Sequence, residues 1–249
     1  MTDKTNRLYA ELAWLWPMWG HPTEYAQFCD HVTRLIRQYS KRDVHSLLNV
    51  GCGGGKNAFN LKKHFTVTGI DISPTMLHLA RQLNPECQFH QADMREFTLQ
   101  ERFDAVLIDD AISYMTTEEE LRAAFDRAYV HLNIGGVMVC GPDDTKETFR
   151  QNWTEVSHAA SASKPENIDI VFVENAFDPE PDDTMYEATM VYLIRESGKL
   201  SIEHDLHLLG LFSIEVWRGL LLDVGFEIHE AKYVEDGKDY VTFACVKLT

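Results

Sequence analysis

The segment that most restricts the fold of this chain is Leu47-Leu48-Asn49-Val50-Gly51-Cys52-Gly53-Gly54-Gly55, an apolar run that ends in a cluster of glycines. An apolar run of this length, bounded by glycines, reads as a buried strand over His45–Val50. Glycines between a strand and a helix let the backbone turn tightly and approach a ligand closely. The N-terminus of the following helix, expected over Lys56–His64, adds outward N–H groups that favour an anionic group. On its own the cluster also fits a plain strand-to-helix turn.

Asp71 narrows the choice. It closes a second strand, Thr66–Asp71, and stands 20 positions after Gly51, where nucleotide-binding folds place the acidic residue that grips a ribose diol. A helix from Pro74 to about Gln82, N-capped by Ser73, follows, then a third strand, Gln88–Gln91. Asp93 comes just after that strand, placed to accept an adenine amino group with Met94 against the ring. A fourth strand spans Phe103–Ile108. The next helix runs from Thr117 to about His131, with Glu118, Glu119 and Glu120 at its positive end. A turn at Asn133–Gly136 precedes a fifth strand, Val137–Cys140. Strands alternating with helices at this spacing imply βαβ units on a parallel sheet, whose ligands bind outside the carboxyl ends of the strands.

The rest of the chain has a different rhythm. Residues 6–40 read as helical, broken by Pro17 and by Gly20-His21-Pro22, and are rich in aromatic residues: Tyr9, Trp14, Trp16, Trp19 and Tyr25. These rings suit either the core of the N-terminal helices or a lid that holds a cation by its π faces. Ile168–Val173, Tyr186–Arg195 and Lys199–Leu208 read as three antiparallel strands, with an acidic, proline-rich loop at Asp178–Asp183. A helix over Ser213–Val224, capped by Gly225, and two strands, Phe226–Tyr233 and Tyr240–Lys247, close the chain.

Charge and cysteine content exclude several functions. The formal net charge is −16, with no basic patch, which argues against nucleic acid or an anionic membrane as partner. Five cysteines are scattered without C-x-x-C spacing, which speaks against a disulfide framework or a zinc site and for a reducing cytoplasm. No stretch reaches the ~18 apolar residues of a membrane span, and the N-terminus lacks a signal layout.

The set Leu47–Gly55, Asp71, Asp93-Met94, Phe103–Val106 and Leu132–Gly136 resembles the class I S-adenosylmethionine-dependent methyltransferases. Among these, the chain looks most similar to small-molecule enzymes of the nucleotide-sugar N-methyltransferase type. The resemblance implies a Rossmann-like α/β fold: a mostly parallel seven-stranded sheet with helices on both faces and a reversed strand pair at 226–247. It implies an N-terminal helical lid (1–40), a cofactor-binding domain (41–165 and 209–249) and an antiparallel insertion (166–208) serving as substrate lid or dimer contact. For S-adenosylmethionine it implies Gly51, Gly53 and Gly55 at the methionine part, Asp71 at the ribose, Ile72 beside the adenine, Asp93 and Met94 at the adenine edge, and Ile108 and Asp109 near the sulfonium. Tyr25 of the lid joins this set. Asn49 departs from the family, which carries an acidic residue there.

For the acceptor, expected to be a small molecule and on resemblance an amine, the candidates are Asp110, Tyr114 and His207, the last as a general base. Each also has a structural reading, as a loop cap, a core ring or a strand histidine. Two other functions fit parts of the sequence: a non-catalytic cofactor-binding module, and a nicotinamide-dependent dehydrogenase through Gly53-x-Gly55-x-x-Ala58. No metal is expected, and the oligomeric state is monomer or homodimer.

Overall fold

The computed structural model describes residues 6–159, 167–235 and 237–249. Residues 1–5 of the expected lid, and residues 165 and 166 at the expected domain boundary, lie outside these.

Two sheets organise the molecule. The larger contains β1 (Ser46–Val50), β2 (Thr66–Asp71), β3 (Gln88–Gln91), β4 (Phe103–Ile108), β5 (Leu132–Cys140), β10 (Phe226–Glu235) and β11 (Lys238–Lys247). Its order is β10-β11-β5-β4-β1-β2-β3. β1 through β5 pair in parallel, and β11 runs antiparallel to both neighbours. The central strands are buried on both faces: every residue of β4 is buried, as are Leu47–Val50. That burial explains why they read as unbroken apolar runs rather than alternating ones.

One core, including Leu48, Ile70, Phe103, Phe125, Trp217 and Phe243, lies under α4 (Glu118–His131) and α5 (Ile214–Val224). The other, including Val32, Ile36, Leu47, Leu61 and Leu77, lies under α1 (Ala26–Tyr39), α2 (Lys56–Leu61) and α3 (Pro74–Leu83). Caps fix the helix starts as the sequence implies. Ser73, Thr117 and Ser213 accept from the backbone N–H groups of Met76, Glu120 and Val216, and Gly225 ends α5 with φ +108°.

Several elements differ from expectation. The Asn133–Gly136 turn is absorbed into β5, which begins at Leu132; its register on β4 slips between Phe103 and Ala105, so Gly135 with φ +81° sits in an irregular strand. The second sheet has four strands instead of three: β6 (Trp153–His158), β7 (Ile168–Phe177), β8 (Met185–Glu196) and β9 (Lys199–Gly210). β6 is mostly exposed and polar, so it carries no apolar alternation to announce it. The insertion therefore starts near 153 rather than 166.

The N-terminal segment before α1 is not α-helical. It forms short 3-10 turns at Arg7–Tyr9, Ala13–Met18 and Pro22–Tyr25, as expected for a stretch carrying Pro17 and Pro22. Leu8, Leu12, Leu15 and Met18 pack against Phe172, Tyr186, Tyr192 and Leu211, giving the second sheet its own core. In the acidic loop, Gln151 binds the backbone of Asp178 as donor and acceptor at 2.7 and 2.9 Å.

Candidate active site

The strand order reverses between β1 and β4, whose ends meet at the Val50–Ile108 pair. A crevice at such a switch point is where open α/β sheets bind ligands. Gly51 and Gly53 follow β1 with φ +66° and +50°, a conformation L side chains rarely adopt. A Cβ on Gly51 would lie 2.2 Å from the Ala111 Cβ and 3.3 Å from the Met94 Cε, so this loop abuts both the turn after β4 and Met94. Asp71 ties the loop to the end of β2: one carboxylate oxygen accepts from the Gly53 N–H and the other from the Ser73 N–H, both at 2.8 Å. Burial raises its pKa above the usual carboxylate value, opposed by those N–H groups. Beside it, Ile72 is 63% exposed, an apolar side chain left bare at the strand ends.

These features fit an adenosyl ligand. A recessed carboxylate, a bare apolar side chain next to it and a glycine turn suit a diol, a planar base and a close chain respectively. Asn49 is buried, and its Nδ2 lacks a hydrogen-bond partner among the described residues, an orphaned donor of the kind a bound polar group satisfies. Two assignments change. Gly55 (φ +82°) faces α3, where a Cβ would meet Asn84 Nδ2 at 2.6 Å and Ala80 at 3.1 Å, so its smallness serves helix packing. Asp93 is occupied by Arg95, whose guanidinium donates to its oxygens at 2.6–3.1 Å, so an adenine amino group would have to share that carboxylate.

A cavity of about 580 Å³ opens between the ends of β4 and β5 and the second sheet. Ile108, Asp109, Asp110 and Tyr114 line it, as do Tyr9, Trp16, Trp19 and Tyr25. Four of the five N-terminal aromatics thus face the cavity rather than a helical core, and Trp14 is 45% exposed. Trp16 also covers the glycine loop: a Cβ on Gly54 would come within 2.4 Å of its ring. The Ser73 hydroxyl donates to the Tyr9 carbonyl at 2.5 Å, holding this cover to the end of β2.

Asp109 accepts from Asn57 Nδ2 at 2.7 Å. Burial, then the charge of Asp110, pushes the Asp109 carboxyl well up, and the same two causes act on Asp143 after β5. Asp143 also accepts from the Ser113 hydroxyl at 3.2 Å.

His207 is fully buried and stands behind the cavity wall. Its Nε2 donates to Asp205 at 2.8 Å, and its Nδ1 lies 2.6 Å from the Tyr114 hydroxyl. The Asp205 contact leaves Nδ1 unprotonated and able to accept, while the Tyr114 hydroxyl proton is directed at the Tyr9 hydroxyl, 2.9 Å away. Burial alone would raise Asp205, but the His207 and Leu8 N–H bonds outweigh it and hold the carboxyl below its usual value. The structure therefore brings Tyr114 and His207 together, with Asp110 on the same cavity wall.

Sequence reasoning missed Asp143, Lys56, Glu155 and Glu174, which also line the cavity. Asp143 follows a strand end in Gly141-Pro142-Asp143-Asp144, the same signal that picks out Asp71 and Asp93. Among the described residues no group of three or more His, Cys, Asp or Glu is arranged to hold a metal ion, and no helix is long and apolar enough to cross a membrane.

Comparisons with known proteins agree with this geometry. A methyltransferase-domain family model matches residues 47–136. The dTDP-3-amino-3,4,6-trideoxy-alpha-D-glucopyranose N,N-dimethyltransferase of Streptomyces venezuelae is 30% identical over 222 residues, 88% of this chain and 89% of that protein. The crystal structure of DesVI from Streptomyces venezuelae superposes with a TM-score of 0.80 at 26% identity, covering 95% of each chain. That of the sugar N-methyltransferase KedS8 from a Streptoalloteichus species, at 24% identity, gives 0.82 over 99% of this chain and 95% of that one. Neither the dehydrogenase reading nor that of a non-catalytic module finds support among them. A glycine turn and Asp71 at the switch point, in a chain so closely matched to such enzymes, place this protein in the class I S-adenosylmethionine-dependent methyltransferase family.

Proposed function

We propose that this methyltransferase methylates an amine nitrogen of a small molecule held in the 580 Å³ cavity. The observation that carries the reading is the group of carboxyls Asp109, Asp110 and Asp143 on the cavity wall at the ends of β4 and β5: burial and the charge of Asp110 raise Asp109 and Asp143, and a cationic or N–H-bearing acceptor supplies the compensation they lack. The relatives whose names specify N,N-dimethylation of amino sugars support it. The cavity volume suits a sugar-sized molecule.

Bound S-adenosylmethionine supplies an electrophilic methyl group on a positively charged sulfur, which leaves as a neutral thioether. Gly51, Gly53, Asp71 and Ile72 hold it, with Asp93 and Met94 toward the adenine and Ile108, Asp109 and Tyr25 toward the cavity. The protein's main contribution is alignment. Tyr9, Trp16, Trp19 and Tyr25 exclude water, and Asp110 orients the acceptor N–H. An amine must shed a proton to keep its lone pair available. Tyr114 takes that proton as its own turns from Tyr9 and passes to His207 Nδ1, and Asp205 steadies the resulting imidazolium, the same logic as a catalytic triad. His207 acts through Tyr114 and is a positioning residue.

The second sheet and the N-terminal turns form the acceptor lid. The reading also places the protein in the cytoplasm, in keeping with its five free cysteines, as a monomer or homodimer working without nucleic acid or membrane. The test is methyl transfer to an aminodeoxyhexose and to its hydroxyl counterpart, with products resolved by mass. N-methylated amine alone is expected, and comparable methylation of the hydroxyl compound would contradict the proposal.

A further inference from the structure

The cavity wall is more acidic than a single amine requires. Among the described lining residues are eight carboxylates and two lysines. Lys238 is already paired with Asp144 at 3.2 Å. Lys56 is turned into the aromatic wall: its Nζ donates to the Trp19 carbonyl and lies 4.6 Å from the Trp16 ring centre and 5.3 Å from that of Tyr25. The wall thus already seats one ammonium between aromatic faces. Bound S-adenosylmethionine adds only a single net positive charge, since its carboxylate offsets one of its two cations.

Five of the eight carboxylates fall into two groups. Asp109, Asp110 and Asp143 stand at the ends of β4 and β5, as described. Glu155 on β6 and Glu174 on β7 form the second group and are directly opposite one another in the antiparallel ladder. Like charges at opposed positions destabilise a sheet. Neither glutamate forms an ion pair with a described lysine, arginine or histidine. Burial, then the charge of Glu155, raises the pKa of Glu174. Two unpaired glutamates facing each other on a cavity wall are a local conflict of the kind proteins retain at functional sites.

Resting on the N-methylation reading, we propose that the acceptor is a small organic cation with two basic nitrogens and no phosphate: one nitrogen is methylated beside Asp109, Asp110 and Asp143, and the other is held by Glu155 and Glu174. A nucleotide-linked amino sugar, the acceptor type named for the Streptomyces venezuelae relative, carries a diphosphate. In this cavity that diphosphate would meet a carboxylate excess at reduced dielectric.

The experiment is a calorimetric titration of the S-adenosylhomocysteine-saturated protein with butylamine, putrescine and thymidine diphosphate. Putrescine should bind roughly ten-fold tighter than butylamine, about the gain from one added partly screened charge pair, and thymidine diphosphate should not bind. Glu174→Gln and Glu155→Gln, each measured separately so that one misfolded variant does not decide the matter, should weaken putrescine several-fold and leave butylamine unchanged. Equal affinity for the two amines, no detectable putrescine binding, or binding of thymidine diphosphate would overturn the proposal. A companion turnover assay with a thymidine diphosphate amino sugar separates the two readings: its N-methylation would overturn this inference and leave the proposed N-methylation standing.

Discussion

The two sides of the cavity are built by different means. On the seven-stranded sheet, the candidate contacts sit in short turns at strand ends: the glycine loop after β1, carboxyl groups such as Asp71 and Asp109, and Ile72 left bare at 63% exposure. On the side of the four-stranded sheet they come from side chains that converge from distant parts of the chain, as when Tyr114 meets both His207 and Tyr9. Turn geometry suits a ligand whose shape is constant, such as the methyl donor. Convergent side chains suit a ligand whose identity varies, because each can change without disturbing the strand ends.

The sharpest test of this division is Tyr114→Phe. It removes the proton path while keeping the ring, so kcat should fall by roughly 10²–10³, the usual contribution of a positioned acid or base, with S-adenosylmethionine affinity unchanged. His207→Gln should lower kcat by a similar factor, again with S-adenosylmethionine affinity unchanged. Steady-state kinetics reads both. A fall in cofactor affinity of matching size would break the comparison.

Asp71→Ala is the converse. It removes the ribose acceptor and the anchor of the Gly53 N–H, and should weaken S-adenosylmethionine about 50-fold, equivalent to one lost hydrogen bond to a charged group. Turnover at saturating cofactor should change far less.

Lys56 gives a smaller, pH-dependent effect. Burial lowers its pKa from 10.5 to about 8, so between these values the unfolded chain binds a proton that the folded protein does not. Stability should therefore rise with pH across that window relative to Lys56→Met, by about 1–3 kcal/mol. Chemical denaturation of both proteins at pH 7.5 and pH 10 measures it, and parallel curves would contradict the burial of a strained cation. The smallest effect expected is Ile72→Ser, which should weaken cofactor binding a few-fold through lost apolar contact, with no change in acceptor KM.

The same contrast explains what the sequence made legible. β2, β3 and β4 fall where apolar runs and turn residues place them, and Ser73, Thr117 and Ser213 cap the helices they announce, because these signals are local. Gly51 and Asp71 were legible for the same reason: a turn and a strand end need particular residues at particular spacings. The packing that requires Gly55 was not legible, since it comes from Ala80 and Asn84 at the end of α3, distant in sequence. β6 was hidden because it lies at the edge of the second sheet with nearly all its residues exposed, leaving no apolar face to read. Glu155 and Glu174 were hidden with it, since their opposition exists only once β6 and β7 pair. The Asp205–His207–Tyr114 chain spans 93 positions between its tyrosine and histidine, and no local pattern encodes such a meeting.

The most direct measurement is a calorimetric titration with S-adenosylmethionine, run side by side on the unmodified protein, Asp71→Ala and His207→Gln. The account predicts tight binding to the unmodified protein, retention in His207→Gln and loss of about 50-fold in Asp71→Ala. Equal binding by Asp71→Ala and the unmodified protein, with both variants folded, would contradict the placement of the methyl donor at the strand ends.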